Sequence, residues 1–509
     1  MNPSDFRRDY ATYRSTAERA RSEHHAGLSP SLDLRPAEER YADLWTRDSV
    51  EELRRAFDET PAQYETERAG LRALGAAAAL GHAEVRAREV SEELGRCAEA
   101  GTFEWGGERV RASESPRLLA FEGDAGRRRE LARRWLDAVR ACDDLRAARL
   151  EALGGATREL GFEGRRQLYE GFTGASLESL AASAEAFLRR TEAAYMSRLA
   201  EWAARALPAE AVRAPEYADR FFFERAPETE TQFRARDFRD LYAGALSGLG
   251  VRPGSQPNLR LDDEERPGKM SDTRCFAVNA PEDVRLVAGS GPGGLGFQRR
   301  SFREGGRAQM FAWASRENSR RHPEFVHAPD RATEEGHGTL LSALFREPAW
   351  LAARRGVRTH EAEESARTAA LLDLYAARRE CAGVVYALAL ERAGDARSEH
   401  LAEEYASLYD DATGFRHDPA TALLDADEWF ESATGLRARL FAASFREHLR
   451  ARHGRRWFDT RGAGEELIDV WNTASRYGVE ELARMIWGGE LSFDLLAEAS
   501  AAALDGRDG

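Results

Sequence analysis

Along most of this 509-residue chain, apolar residues recur at three- and four-residue spacing in segments rich in Ala, Leu, Glu and Arg. That period puts them on one face of a helix, and these residue types are strong helix formers. Helices are expected over roughly 4–23, 62–99, 124–160, 175–206, 298–316, 332–345, 361–393 and 435–452, with shorter ones between. Two stretches break the pattern. Thr102–Ala112 alternates around Gly106-Gly107, a hairpin signal. Asn258–Ala288 holds NLRL, RCFAV and DVRLVA between polar turns, which predicts three short strands in a helical body. The polar segments 207–237 and 252–272 carry Pro208, Pro215, Pro227, Pro253, Pro257 and Pro267 and read as a join. The expected division is an N-terminal helical lobe, 1–237, and a C-terminal lobe, 238–509.

Charge narrows the function classes. Acidic residues outnumber basic ones 88 to 74, for a net charge of −14. Lys269 is the single lysine, and the arginines alternate with Asp and Glu, so no basic block exists for a nucleic-acid backbone. The longest apolar runs, Leu74–Leu80 and Cys381–Leu390, fall far short of the ~20 residues that cross a bilayer. MNPSDFRRDY has no apolar stretch of the signal-peptide kind. Four cysteines without a CxxC predict reduced thiols and a cytoplasmic protein.

The segment ERPGKMSDTRCFAVNAPEDVRLVAGSGPGGLGFQRRSFREGGRAQMF, Glu265–Phe311, resembles the catalytic region of the helical zinc peptidases, the superfamily of thimet-type oligopeptidases and angiotensin-converting enzyme. In that family an RPGK segment leads into an edge strand, a Gly-Gly loop and a helix carrying HExxH. PDRATEEGHGTLLSALFREPAWL, Pro329–Leu351, resembles the following helix, which supplies a glutamate ligand. YASLYDDATGFRHDP and DEWFESATGLRARLFAASFREHL resemble the closing segments, so the likeness spans about residues 260–490. It implies a mainly helical, elongated, two-lobed zincin-like fold with a central channel and a small antiparallel sheet. The strand Asp283–Ala288 would then pair with an extended peptide by strand addition, or merely edge the sheet.

Two histidines four apart on a helix reach one Zn²⁺, and the glutamate between them activates the bound water. Here the five positions read Arg303-Glu304-Gly305-Gly306-Arg307. Both histidine positions are arginine, and a guanidinium keeps its proton and has no lone pair for a metal. Glu304 stands at the general-base position as a vestige. The third ligand falls on Glu335, or on Glu334 one register away. Alignment through GLRAR puts the family's substrate-binding His near Glu428 and its tyrosines at Gly435 and Ala438, with Arg437 between them. Together with His337 these are the expected groove residues.

Two Arg⁺ and one carboxylate sum to +1, as do Zn²⁺, two neutral His and one carboxylate. Arg303 and Arg307 are therefore expected to fork onto Glu335, with Glu304 or Glu334 assisting, in a metal-free ion-pair cluster. The expected function is a catalytically inactive peptidase-like protein that keeps a groove for a peptide or a partner's extended segment, without cofactor. One alternative is a working hydrolase with zinc relocated to His322, His327, His337 and Glu335, or with Glu304 as base. Another is a structural subunit of a complex. GPGGLG, Gly291–Gly296, lacks the βαβ context of a dinucleotide site and reads as a flexible loop over the groove. Phe221-Phe222-Phe223 reads as lobe packing, and His24-His25 as a solvated helix end. The residues fix neither ligand nor oligomeric state.

Overall fold

A computed structural model describes residues 1–212 and 215–506. Arg213 and Ala214, within the expected join, and 507–509, at the end of the expected second lobe, lie outside the described residues. Helix makes up 70% and strand 5%, so helix packing forms the core and the sheets are accessories. Two compact units divide the chain, each discontinuous in sequence. The first comprises Met1–Gly81, Glu228–Ala369 and Arg437–Gly509; the second comprises His82–Pro227 and Ala370–Leu436. This is a different partition from a single cut after Asp237, since the first unit contains residues on both sides of it.

In the first unit the helices that matter are α1 (Pro3–His25), α2 (Leu295–Trp313), α3 (Ala332–Ser342), α4 (Glu431–His453, from Arg437 onward), α5 (Arg461–Trp471) and α6 (Val479–Trp487). The start of α1 follows ordinary capping: the Asn2 side chain accepts from the Asp5 N–H, with Pro3 at the first position. His24 and His25, at its end, are half-buried rather than solvated. Their ring nitrogens lie 3.1 Å from the Ser29 carbonyl and 2.9 Å from the Asp272 carbonyl.

The hairpin forms as its glycines require. β1 (Thr102–Trp105) pairs with β2 (Glu108–Arg111), and Gly106 and Gly107 take φ of 63° and 85°. The second sheet holds β3 (Leu259–Asp262), β4 (Arg274–Asn279) and β5 (Asp283–Val287) in the order β3-β5-β4. β5 is parallel to β3 and antiparallel to β4. Asp283–Val287 is thus the central strand, paired on both sides, and cannot receive a peptide by strand addition; the edges are β3 and β4. Beyond β3, Lys269 folds back with its side chain 1% exposed, and its Nζ donates to the Asp262 carbonyl (3.0 Å), the Asp262 carboxylate (3.2 Å) and the Glu264 carbonyl (2.8 Å).

The continuous helices expected over 62–99 and 124–160 are each broken. Arg88–Ala100 is separate from Glu65–Arg86, and Asp143–Glu159 is separate from Ala125–Arg140. Cys142 sits at the second break, bonded to Cys97 with the Cα atoms 6.0 Å apart. The expectation of four reduced thiols is corrected: Cys275 and Cys381 alone lie outside the disulfide, and both are buried. Forty-five residues separate the bonded pair, so no local motif announces it. Phe223 is core, packed on Trp202, Tyr375 and Phe415.

Candidate functional site

Glycines bring α2 and α3 together. A Cβ on Gly306 would meet the His337 carbonyl oxygen at 2.5 Å, and one on Gly338 would meet the Arg303 carbonyl oxygen at 2.6 Å. The two backbones touch where side chains would hold them apart. Gly305 fits under the ring of Tyr242, whose hydroxyl donates to the Gly305 carbonyl at 2.8 Å. The loop Gly291–Gly296 that feeds α2 is pinned rather than flexible. The Gly294 N–H donates to the Phe233 carbonyl at 2.6 Å and the Leu295 N–H to Thr229 Oγ1 at 2.8 Å.

This crossing sets the arginines of α2 against the glutamates of α3. Arg303 Nε donates to Glu335 Oε2 at 2.8 Å. Arg307 Nη1 donates to both oxygens of Glu304, at 3.0 and 2.8 Å, and Nη2 to Glu334 Oε1 at 3.1 Å. Its Nε lies 3.8 Å from Glu335 Oε1. Glu304 Oε2 also accepts from the Cys275 N–H of β4 at 2.8 Å. Arg331, at the start of α3, completes the group. It donates to Glu334 Oε1 at 2.7 Å and to Glu335 Oε1 at 2.8 Å. Nothing in the family pattern marks Arg331, although its spacing of three and four residues from those glutamates is that of helical ion pairs.

Three guanidinium groups thus face three carboxylates, and the cluster is neutral rather than +1. Burial works against the charge of Glu335, and Arg303, Arg307 and Arg331 outweigh it, holding its pKa down to about 2. Burial likewise opposes the charge of Arg307; Glu334, Glu304 and Glu335 overcome it and push its pKa well above the arginine value. Cys275, behind Glu304, is kept protonated by burial, against the opposing pull of Arg307.

Zinc, the metal the sequence resemblance implies, does not fit these residues. Two of its three ligand positions are cations with no lone pair, and the remaining carboxylate is shared by two guanidinium groups. Nor do the histidines rebuild a site elsewhere. Among the described residues no three His, Cys, Asp or Glu side chains converge as a metal would need. His322 pairs with Glu324 at 3.1 Å. His327 is pushed well below the ordinary histidine pKa by burial and by Arg14 and Arg21. His337 does not line an open groove. It is 2% exposed, ringed by Phe441, Phe445 and Trp471, and Trp471 Nε1 donates to its Nδ1 at 3.2 Å. Burial drops its pKa to about 3, so the imidazole is neutral.

The other expected groove residues are engaged with protein groups. Arg437, 1% exposed, forks onto Asp330 (2.9 and 2.9 Å) and Glu480 (2.7 and 2.8 Å). Ala438 is fully buried beside Gly336. Glu428 and Gly435 belong to the second unit, where Glu428 accepts from Arg149 at 2.9 Å and Gly435 backs onto Glu380.

No protein-family model matches the chain, and no curated protein matches it in sequence. Solved structures do match its fold. A protein of Bacillus anthracis str. Ames assigned as an oligoendopeptidase F is 12% identical over 96% of this chain and 87% of its own, with a TM-score of 0.62. PZ peptidase A is 12% identical over 93% and 87%, with a TM-score of 0.62. The carboxypeptidase of Pyrococcus furiosus is 14% identical over 98% and 97%, with a TM-score of 0.60. The chain therefore shares the helical fold of these solved peptidase and carboxypeptidase structures. Identities this low establish fold alone.

Proposed function

We propose that the chain is a non-hydrolytic protein on a peptidase fold, holding a peptide or a partner's extended segment instead of cutting it. The observation that carries this reading is the placement of Arg307, enclosed between Glu304 and Glu334 with Cys275 behind. A carboxylate whose two oxygens are held by a permanent cation and a backbone N–H is poorly placed to take a proton from water. No observation favours a relocated metal or a purely structural role.

Metal analysis of the purified chain, combined with a mixed-peptide cleavage assay with and without Zn²⁺, tests the reading. The expected result is substoichiometric metal and intact peptides. One zinc per chain, with cleavage abolished by Glu304→Gln, would sink it. The double variant Arg303→His/Arg307→His places two imidazoles one helical turn apart near Glu335 and is expected to take up about one Zn²⁺.

A further inference from the structure

Arg303 and Arg331 are the exposed members of the cluster, at 29% and 37%, while the other four groups are enclosed. Donors and acceptors do not balance at Arg303. Its Nε is spent on Glu335, and among the described residues neither terminal nitrogen has a hydrogen-bond partner; neither is buried. The side chain is nevertheless held. Its stem lies across Gly338, where a Cβ would come 2.9 Å from Arg303 Cγ. A guanidinium anchored through Nε and by its stem, with a two-nitrogen edge toward solvent, is pre-set to fork onto a carboxylate.

We propose that Arg303 binds a carboxylate carried by an extended peptide, either a chain terminus or an Asp or Glu side chain. This deepens the non-hydrolytic reading and rests on it. A polyanion fits less well: one guanidinium edge is on offer, and the chain carries −14 overall, which repels multiply charged ligands and costs a single carboxylate little.

The test uses the full chain and three pools of unstructured hexapeptides. One pool has free carboxyl termini and no Asp or Glu; one is amidated and lacks both; one is amidated and carries a single Glu. At least one acid-bearing pool is expected to bind roughly tenfold more tightly than the amidated acid-free pool. Whichever acid pool gains identifies the source of the carboxylate. Arg303→Gln should erase the difference and Arg303→Lys should keep part of it, because charge survives and the fork does not. Glu335 stays paired with Arg331 in both variants, and thermal melting checks that they fold. If Arg303→Gln does not fold, Arg303→Lys decides alone: its discrimination must fall below the parent's. Equal binding of all pools, or discrimination that survives at Arg303→Gln undiminished, overturns the proposal. Mass analysis of the recovered peptides separates the two readings. Cleavage sinks the non-hydrolytic one, whereas the contrast between pools judges Arg303.

Discussion

A guanidinium as enclosed as that of Arg307 is tolerated only because its charge is answered on three sides, by Glu304, Glu334 and Glu335. Arg307→Met should therefore cost about 3 kcal/mol or more in a urea titration, since it strands buried carboxylates; losing a surface pair would cost well under 1 kcal/mol. Acid should undo the same cluster. The unfolded Glu335 titrates near 4.5 and the folded one near 2, so its contribution is whole above 4.5 and fades as pH falls toward 2. His337 acts at higher pH: neutral in the fold down to about 3, it takes a proton on unfolding from 6.5 downward. Urea midpoints measured across pH should fall in both windows. Glu335→Gln should flatten the lower window and His337→Asn the upper. Arg303 and Arg307 are legible because they stand four apart where the family resemblance implies histidines, and Glu334 and Glu335 because one of them falls at the implied third-ligand position. Arg331 is legible only in retrospect, because a lone arginine at a helix start looks like any other.

Between helices, the glycines decide. Gly306→Ala or Gly338→Ala drives a methyl into the facing backbone and should cost about 2 kcal/mol or more, with the α2–α3 ion pairs loosened. Gly155, inside Asp143–Glu159 with nothing near its missing Cβ, is the control: Gly155→Ala should raise stability by up to about 1 kcal/mol. Thermal melting of the three variants checks both signs. Periodicity predicts the helices well because an amphipathic stripe is written locally. The order β3-β5-β4 is not written locally, since three short apolar runs fit several pairings. The central place of Asp283–Val287 emerges only when β3 and β4 close on either side.

At the scale of the whole chain, segments distant in sequence share a unit, which no composition shift marks. The disulfide is of the same long-range kind. Thiol titration of unfolded, unreduced protein should find two reactive thiols, and four after reduction. Opening a crosslink that spans 45 residues should lower stability by about 4 kcal/mol on the chain-entropy estimate. Lys269 has a practical counterpart to these losses. The only ε-amine in the chain is locked against three acceptors, so an amine-reactive tag should pass over the side chains of the folded protein. Its arrival at residue 269 becomes a built-in clock for the opening of the first unit.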